Sequence, residues 1–137
     1  MGAHSKVVLD TNVFISAFGW RGIPWSIVDL VRHGSIVNHT SEEMLEELRR
    51  VVAYPKLKFS TQLQADIIEF VLANSNLVTS AAVTDLIIED PDDIKIVSCA
   101  VAAKAHCIIS GDPHLLDLGS YRTIAILNPA AFISSIR

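Results

Sequence analysis

The chain has 137 residues, of which 50% are hydrophobic and 19% are charged, and its formal net charge is −4. This composition is typical of a globular domain with a buried core, and it excludes an intrinsically disordered protein. The acidic balance argues mildly against a nucleic-acid binder, which usually carries a basic surplus, unless several of the acids bind metal cations.

The sequence shows no secretory signal and no apolar run near the ~18 residues that a membrane span requires. Its two cysteines, Cys99 and Cys107, lie in apolar surroundings. This setting favours buried thiols in a reducing compartment over a disulfide. We therefore expect a cytoplasmic protein without a membrane contact. Residues 1–5 are expected to be unstructured or left over from expression.

The hydrophobic pattern predicts strands and helices that alternate along the chain. Five strands are expected at residues 7–9, 35–38, 76–79, 107–110 and 123–126. Helices are expected at 12–18, 25–33, 42–54, 61–72, 91–105, 113–118 and from 129 onward, with a further extended piece at 84–89. Ser41, Ser60 and Asn128 are expected to begin the helices that follow them, and Leu72 is expected on the apolar face of the helix at 61–72. The alternation predicts an α/β fold: a three-layer sandwich with a five-stranded parallel sheet flanked by helices, forming one domain over residues 1–137.

Acidic residues follow the ends of two of these strands. Asp10 comes directly after the first strand, and Asp112 follows the fourth. The C-terminal ends of parallel strands lie at one edge of the sheet, where ligands bind. Glu47 lies next to the apolar face of the third helix, and Asp93 lies in the first turn of the helix before the fourth strand. We expect the four carboxylates to meet at this edge.

Clustered carboxylates have a defined chemistry. They repel one another, so such a group is stable only with a bound proton or a cation. Oxygen ligands of this kind favour Mg²⁺ or Mn²⁺ over zinc. One or two such ions can acidify a water molecule and neutralise charge on a phosphodiester, so the cluster predicts metal-dependent phosphodiester cleavage.

Each of these acids also has an ordinary structural interpretation. Asp10 is a good cap for the helix that follows it, and Asp93 lies favourably near a helix N-terminus. Asp112 is a common turn residue, and Glu47 is one of four acids between residues 42 and 47. No single position establishes a site, and the joint arrangement of the four carries the hypothesis.

With these residues in view, the chain resembles the PIN-domain family, and in particular stand-alone prokaryotic members similar to the VapC toxins of type II toxin–antitoxin pairs. The resemblance spans essentially the whole chain. It rests on four motifs: Asp10-Thr11-Asn12, Glu47-Leu48, Asp90-Pro91-Asp92-Asp93-Ile94-Lys95 and Ser110-Gly111-Asp112.

The resemblance implies an endoribonuclease that depends on one or two Mg²⁺ or Mn²⁺ ions and is inhibited by a cognate antitoxin protein. By motif match, the catalytic and metal-binding acids are Asp10, Glu47, Asp93 and Asp112. The matching polar supports are Asn12 and Ser110. The family often forms dimers through apolar helix faces, so a homodimer or a higher homo-oligomer is expected, with Trp20, Ile133 or Ile136 at the interface.

Basic and aromatic residues offer further contacts for RNA. Arg49 and Arg50 follow Glu47, and Lys95 fits the Asp-x-Lys spacing of the family, so these three are expected to bind substrate. With Lys56 and Lys58, the two arginines form a basic stretch that is expected to contact RNA phosphates, and a solvated helix end explains this stretch equally well. Trp20, Arg21 and Trp25 lie around a glycine-bearing loop, where they are expected to stack on unpaired bases, dock a partner or be partly buried between helices.

One position departs from the family pattern. Ile94 follows the third acid, where the family often has asparagine. This departure and the acidic net charge favour an alternative hypothesis, a catalytically weak or inert PIN-fold binding module that acts through a protein or RNA partner.

Overall fold

The computed structural model describes residues 5–83 and 91–136. Within these ranges the strands are β1 (Ser5–Leu9), β2 (Ile36–Thr40), β3 (Ser75–Leu77), β4 (Cys107–Ile109), β5 (Ser120–Tyr121) and β6 (Ile124–Leu127). The helices are α1 (Thr11–Trp20), α2 (Gly22–Arg32), α3 (Glu42–Val52), α4 (Thr61–Asn74), α5 (Pro91–Ala103), α6 (Pro113–Leu118) and α7 (Pro129–Ser135), and a 3₁₀ turn covers Pro55–Leu57. Over the same ranges, no helix combines the length and apolarity of a membrane span.

The six strands form one sheet in the order β3-β2-β1-β4-β6-β5. All neighbouring strands are parallel except β5 and β6. The central strand β1 pairs with β2 on one side and β4 on the other, with Leu9 opposite Ile109 in β4. The strand order therefore reverses beside β1, and this arrangement opens a crevice at the C-terminal ends of β1 and β4.

The predicted α/β sandwich is confirmed, but the predicted count of five strands is wrong. The additional strand is β5, a two-residue strand that pairs antiparallel with β6 through Tyr121 and Ile124. The turn between them contains Arg122 in a left-handed conformation at φ 54°. A hairpin this short, with an arginine where such turns usually have glycine or asparagine, leaves no recognisable sequence pattern.

Alternating residues of the central strands face two separate cores. Val7 and Leu9 pack with α1, α2, α3, α4 and α7 on one face of the sheet. Val8 packs with α5 and with Leu115 of α6 on the other face. Burial on both faces explains the near-continuous apolar run of β1.

The prediction of buried, unpaired thiols is confirmed. Cys99 and Cys107 are free and buried, one in each core. Burial raises the pKa of each thiol to about 12. Both side chains are therefore protonated packing elements at neutral pH.

Side-chain caps begin three of the helices where the sequence predicts them. The hydroxyl of Ser41 accepts a hydrogen bond from the Met44 amide at the start of α3, at 3.3 Å. Ser60 caps α4 at 3.0 Å, and Asn128 caps α7 at 2.7 Å. The α3 cap fixes the start of the helix that carries Glu47.

Several predicted boundaries and one predicted core residue are wrong. Ser5, expected to be unstructured, is buried in β1, and α1 continues through Gly19 to Trp20. The strand β2 continues to Thr40, because His39 and Thr40 are buried despite their polarity. Leu72, predicted on the apolar face of α4, is 52% exposed. The extended piece expected at 84–89 lies outside the described residues, as does Asp90.

The side chain of Asn38 extends the pairing of β1 and β2 beyond the backbone ladder. Its Oδ1 atom accepts a hydrogen bond from the Leu9 amide at 2.9 Å. Its Nδ2 atom donates to Ser75 Oγ in β3 at 2.8 Å. Asn38 thus fixes the end of β1, one residue before Asp10.

Candidate active site

Asp10 lies at the crevice beside β1 and contacts the loop that follows β4. Its backbone amide donates to the Ile109 carbonyl at 2.9 Å, which continues the pairing of the two strands. This pairing brings Ser110 next to Asp10, and the Ser110 hydroxyl donates a hydrogen bond of 2.6 Å to Asp10 Oδ2. The same Asp10 residue begins α1 through its carbonyl, which accepts from the Val13 amide at 3.0 Å.

Asp112 is held in the same loop by Ser110. The Asp112 amide donates to Ser110 Oγ at 3.0 Å. The Ser110 hydroxyl therefore contacts both the Asp10 carboxylate and the backbone of Asp112. The Asp112 carboxylate caps α6 by accepting from the His114 amide at 2.9 Å. The turn-and-cap role considered for Asp112 is therefore present, and it leaves the residue close enough for its charge to act on Asp10.

Glu47 reaches the crevice from α3. Its Oε2 atom accepts a hydrogen bond of 2.9 Å from the hydroxyl of Thr11, the first residue of α1. Its neighbours Met44 and Leu48 are buried, which keeps this turn of α3 against the sheet. The half-buried Glu47 carboxylate thereby lies within electrostatic range of Asp10.

Burial and like charge make two of these carboxylates weaker acids than usual. Burial raises the pKa of Asp10, and the charge of Asp112 adds to the rise, while the Ser110 hydroxyl and the amides of Thr11 and Asn12 oppose it. Burial also raises the pKa of Glu47, with further contributions from the charges of Asp10 and Asp92. The crevice therefore holds negative charge that the protein alone does not fully compensate.

The first turn of α5 contributes two acids with different surroundings. Asp93 is buried, with 5% of its surface exposed. Asp92 is more exposed and forms ion pairs with Lys95 at 2.8 Å and with Arg50 at 3.9 Å. The negative charge of Asp92 raises the pKa of Glu47, and the positive charge of Lys95 lowers it. The start of α5 thus lies beside the Glu47 end of the crevice.

The remaining predicted residues are exposed or partly exposed. Asn12 is an exposed residue of α1, and the hydrogen bond of its backbone amide lowers the pKa of Asp10. Arg49 and Arg50 are exposed at the end of α3, and Lys95 forms an ion pair with Asp92. Arg50 and Lys95 therefore lie beside the Glu47 end of the crevice.

The donor set fits a divalent cation in its chemistry and charge, but it is not arranged as a finished coordination shell. Carboxylate oxygens are the ligands that Mg²⁺ and Mn²⁺ prefer, and the raised pKa values of Asp10 and Glu47 mark a site that a cation would stabilise. Across residues 5–83 and 91–136, no three His, Cys, Asp or Glu side chains lie close enough together to hold an ion.

Two contributors to the crevice were not singled out from the sequence. Thr11 holds Glu47, and Asp92 links Lys95 and Arg50 beside it. Thr11 lies within the motif Asp10-Thr11-Asn12, but its hydrogen-bond partner Glu47 is 36 residues away along the chain, and no local sequence pattern joins the two. Asp92 and Asp93 are adjacent aspartates, and the sequence alone does not show that Asp92 forms ion pairs with Lys95 and Arg50.

Comparisons with known proteins agree with this architecture. The PIN-domain family profile matches residues 6–114. An uncharacterized protein of Methanocaldococcus jannaschii is 37% identical over 116 residues, which cover 82% of this chain and 74% of that protein. The crystal structure of VapBC2 from Rickettsia felis, bound to a DNA fragment from their promoter, contains a chain with a similar fold. That match has a TM-score of 0.63 and 16% identity, and it covers 90% of this chain and 98% of the other.

The extent of the profile match decides the family. It includes Asp10, Glu47, Asp93 and Asp112, the four acids on which the predicted resemblance depends. PIN domains are generally nucleases that use divalent metal ions. This chain belongs to the PIN-domain family.

Proposed function

We propose that this protein is an endoribonuclease that hydrolyses RNA phosphodiester bonds with one or two Mg²⁺ or Mn²⁺ ions. The observation that carries the proposal is that Glu47, from α3, and Asp112, from the loop after β4, each lie within electrostatic range of Asp10 in the crevice beside β1. Membership of a family whose members are generally metal-using nucleases supports it.

The residues of the crevice have separate roles in this proposal. Asp10, Glu47, Asp93 and Asp112 would hold the cations, which when bound would supply an acidified water molecule and neutralise charge on the scissile phosphodiester. Ser110 and Thr11 fix the carboxylates of Asp10 and Glu47 by hydrogen bonds of 2.6 and 2.9 Å. Holding the acids in place reduces the reorganisation needed when substrate binds.

Lys95 and Arg50 supply positive charge next to the Glu47 end of the crevice. Both pair with Asp92, at 2.8 and 3.9 Å, and remain partly or largely exposed. A phosphate entering from this side would meet them before it reached the acids. Arg49, exposed on the neighbouring position of α3, extends the same positive rim.

A cleavage assay with a panel of labelled RNAs tests the proposal. Wild type and the Glu46→Gln control, which changes an exposed acid beside Glu47, should cleave in Mn²⁺ and leave 5′-phosphate and 3′-hydroxyl ends. EDTA or Asp10→Asn should lower the rate at least about 100-fold, as expected when a principal charged group of a site is removed. Cleavage that is indifferent to both EDTA and the substitution would overturn the proposal.

We also propose that the protein acts as the toxin of a toxin–antitoxin pair. The fold similarity to a chain of the VapBC2 complex and the resemblance to VapC toxins support this assignment. An antitoxin would then cover the acidic crevice with a basic or apolar segment. Induced expression in a bacterial host should arrest growth for wild type and not for Asp10→Asn. Unchanged growth with soluble, cleavage-competent wild-type protein would contradict the toxin role.

A second candidate is a PIN-fold binding module with little or no catalysis. It is favoured by the lack of a ready three-ligand group in the described part of the chain and by Ile94 beside Asp93. Such a module would bind RNA or a protein partner. In the cleavage assay it would leave every RNA intact at all Mn²⁺ concentrations.

Self-association is proposed through the outer face of α4. Leu72 is 52% exposed there, beside an open concavity of about 530 Å³ lined by Ala65, Ile68, Glu69 and Ala73. In contrast, Ile133 and Ile136 pack against the core. Light scattering should give a multiple of the 15.0 kDa chain mass for wild type and a lower multiple for Leu72→Glu. A wild-type monomer would exclude this assembly.

A further inference from the structure

A group of aromatic and basic side chains lies at the junction of α1 with the segment between α3 and α4. Trp20 is 66% exposed, the largest value among the big hydrophobic side chains of the described ranges. One neighbouring ring supports it, that of Phe59, at a centroid distance of 5.9 Å. Trp25, in contrast, packs edge-on against Phe18 at 5.4 Å and is covered by Arg21 at 4.1 Å. Trp20 therefore presents a supported aromatic ring to solvent.

The backbone around Trp20 is held in an unusual conformation. Arg21 has φ 62° and ψ −122°, a region that residues with side chains rarely occupy, and Gly22 follows at φ 65°. Gly19 lets the Phe59 ring approach closely, since a Cβ atom there would lie 2.9 Å from Phe59 Cζ. Backbone strain of this kind persists where the surrounding structure imposes it, often at binding sites.

The charge around these rings is positive, although the chain as a whole carries −4. Residues 11–28 and 48–65 contain five basic residues and no acid. The five are Arg21, Arg49, Arg50, Lys56 and Lys58, and all of them are exposed. The two segments meet because Trp20 of the first contacts Phe59 of the second. These two segments therefore carry only positive charge.

The segment that follows α3 connects these rings to the acidic crevice. Arg50 lies one turn after Glu47 on α3, near Asp92 at 3.9 Å. Tyr54, itself 38% exposed, forms a hydrogen bond that raises the pKa of Arg50. The 3₁₀ turn Pro55–Leu57 then leads to Phe59 and so to Trp20.

We infer that Trp20, Arg21, Tyr54, Lys56, Lys58 and Phe59 form a binding surface for an unpaired nucleic-acid strand, and we call it the aromatic–basic surface. Exposed rings interleaved with cations suit a single strand, because each base offers a face for stacking and each phosphate a negative charge. A base pair in a duplex keeps its faces covered, so a duplex gains only the charge contacts. The inference rests on the proposed ribonuclease function for the route of the strand to the crevice.

Strand binding in EDTA tests this inference without any need for cleavage. The probes are a fluorescein-labelled 12-nucleotide oligouridine RNA and a 12-base-pair RNA duplex, followed by fluorescence anisotropy. Trp20→Ala should weaken binding of the single strand about tenfold, the loss expected from one base stack. Trp20→Phe should restore most of the affinity. Leu77→Ala, which removes an exposed apolar side chain on β3, should change it less than about twofold.

Two lysines form a matched pair for the charge contribution. Lys58 and Lys104 are both exposed, and both have a left-handed backbone conformation, at φ 56° and φ 54°. Substitution by alanine therefore involves the same backbone strain at the two positions. Lys58→Ala should reduce the slope of log affinity against log salt by about 0.7, the value for one phosphate of a single strand. Lys104→Ala should leave the slope unchanged.

The outcomes separate this inference from the ribonuclease proposal. Loss of strand binding in Trp20→Ala would support the aromatic–basic surface even if wild type cleaved no RNA. Equal single-strand affinity of Trp20→Ala and Leu77→Ala, or a preference for the duplex, would overturn it even if wild type cleaved RNA. That result would assign the exposed rings to a protein partner.

Discussion

At the scale of single residues, the crevice combines groups that destabilise one another. Asp10 is partly buried beside Asp112 and within range of Glu47, and burial raises the pKa of both Asp10 and Glu47. A carboxyl with a raised folded-state pKa favours its protonated form in the fold. At neutral pH, above the ordinary pKa of the carboxyl in the unfolded chain, such a group therefore lowers the free energy of unfolding.

Removal of one of these charges should stabilise the metal-free protein. In EDTA at pH 7, Asp10→Asn should raise Tm by a few degrees, because the amide keeps the shape of the side chain and relieves the repulsion. Glu46→Gln, at an exposed position, should change Tm by no more than about 1 °C. Thermal unfolding followed by circular dichroism measures the difference, and a lower Tm for Asp10→Asn would contradict the repulsion argument.

The sequence predicts the positions of some site residues well and others poorly. Asp10, Ser110 and Asp112 follow paired strands directly, so the order of strands and acids already implies their proximity. The bond between Thr11 and Glu47 depends on how α1 packs against α3, and no periodicity contains that information. The same holds for Asp92, because the ion pairs that distinguish it from Asp93 depend on side-chain geometry.

At the scale of elements, the end of β1 depends on a buried side chain from its neighbour. Asn38 is fully buried and uses its amide group to bond both Leu9 in β1 and Ser75 in β3. The Asn38 side chain takes the place of a backbone hydrogen-bond acceptor for Leu9, where the pairing of β1 and β2 ends after Val7 and Asn38. The position of Asp10 therefore depends on a polar residue inside an apolar sheet.

Loss of the Asn38 amide should destabilise the sheet. Asn38→Val leaves the buried Leu9 amide without its acceptor, and we expect the free energy of unfolding to fall by about 2 kcal/mol. Asn76→Val in β3 replaces an exposed asparagine and should change it by less than about 0.5 kcal/mol. Urea unfolding compares the two variants. Equal stabilities would show that the Asn38 hydrogen bonds do not hold the strand ends.

Element boundaries follow from the sequence where one interaction dominates. Ser41, Ser60 and Asn128 begin helices as predicted, because a cap is a local hydrogen bond between residues three positions apart. Tertiary contacts decide the other ends. The strand β2 extends over buried polar residues, and α1 passes Gly19 because the Phe59 ring packs against it.

At the scale of the whole molecule, stability should depend on pH through a histidine in the sheet. His39 of β2 is 6% exposed. Burial lowers its pKa from the ordinary 6.5, and the nearby charge of Lys6 adds to this, while backbone hydrogen bonds at Val7 and Val37 oppose it. Below about pH 6.5 the unfolded chain binds more protons at this position than the folded chain, so stability falls with falling pH.

Substitution of His39 isolates this contribution. The stability of wild type relative to His39→Gln should decrease as the pH falls below 6.5 and should level off below the lowered pKa of the folded state. Comparison with this variant cancels the opposite contributions of Asp10 and Glu47. The exposed His33→Gln variant serves as the control. A difference that stays constant between pH 7 and pH 5 would contradict the assignment.

The molecule as a whole separates its charges around one sheet edge. The acids lie in the crevice beside β1, and the aromatic–basic surface includes Tyr54, just beyond the C-terminal end of α3. The alternation of strands and helices predicts the acids at that edge. The surface around Trp20 depends on the contact of two distant segments through Phe59, which the sequence pattern does not contain.

Calorimetric titration of Mn²⁺ into the metal-free protein measures whether the crevice beside β1 binds a divalent cation. Wild type and Glu46→Gln should bind one or two ions per chain in a saturable reaction, and Asp10→Asn should bind at least about tenfold more weakly. Absence of Mn²⁺ binding by wild type, or equal binding by wild type and Asp10→Asn, would contradict the assignment of the crevice as a metal-dependent active site.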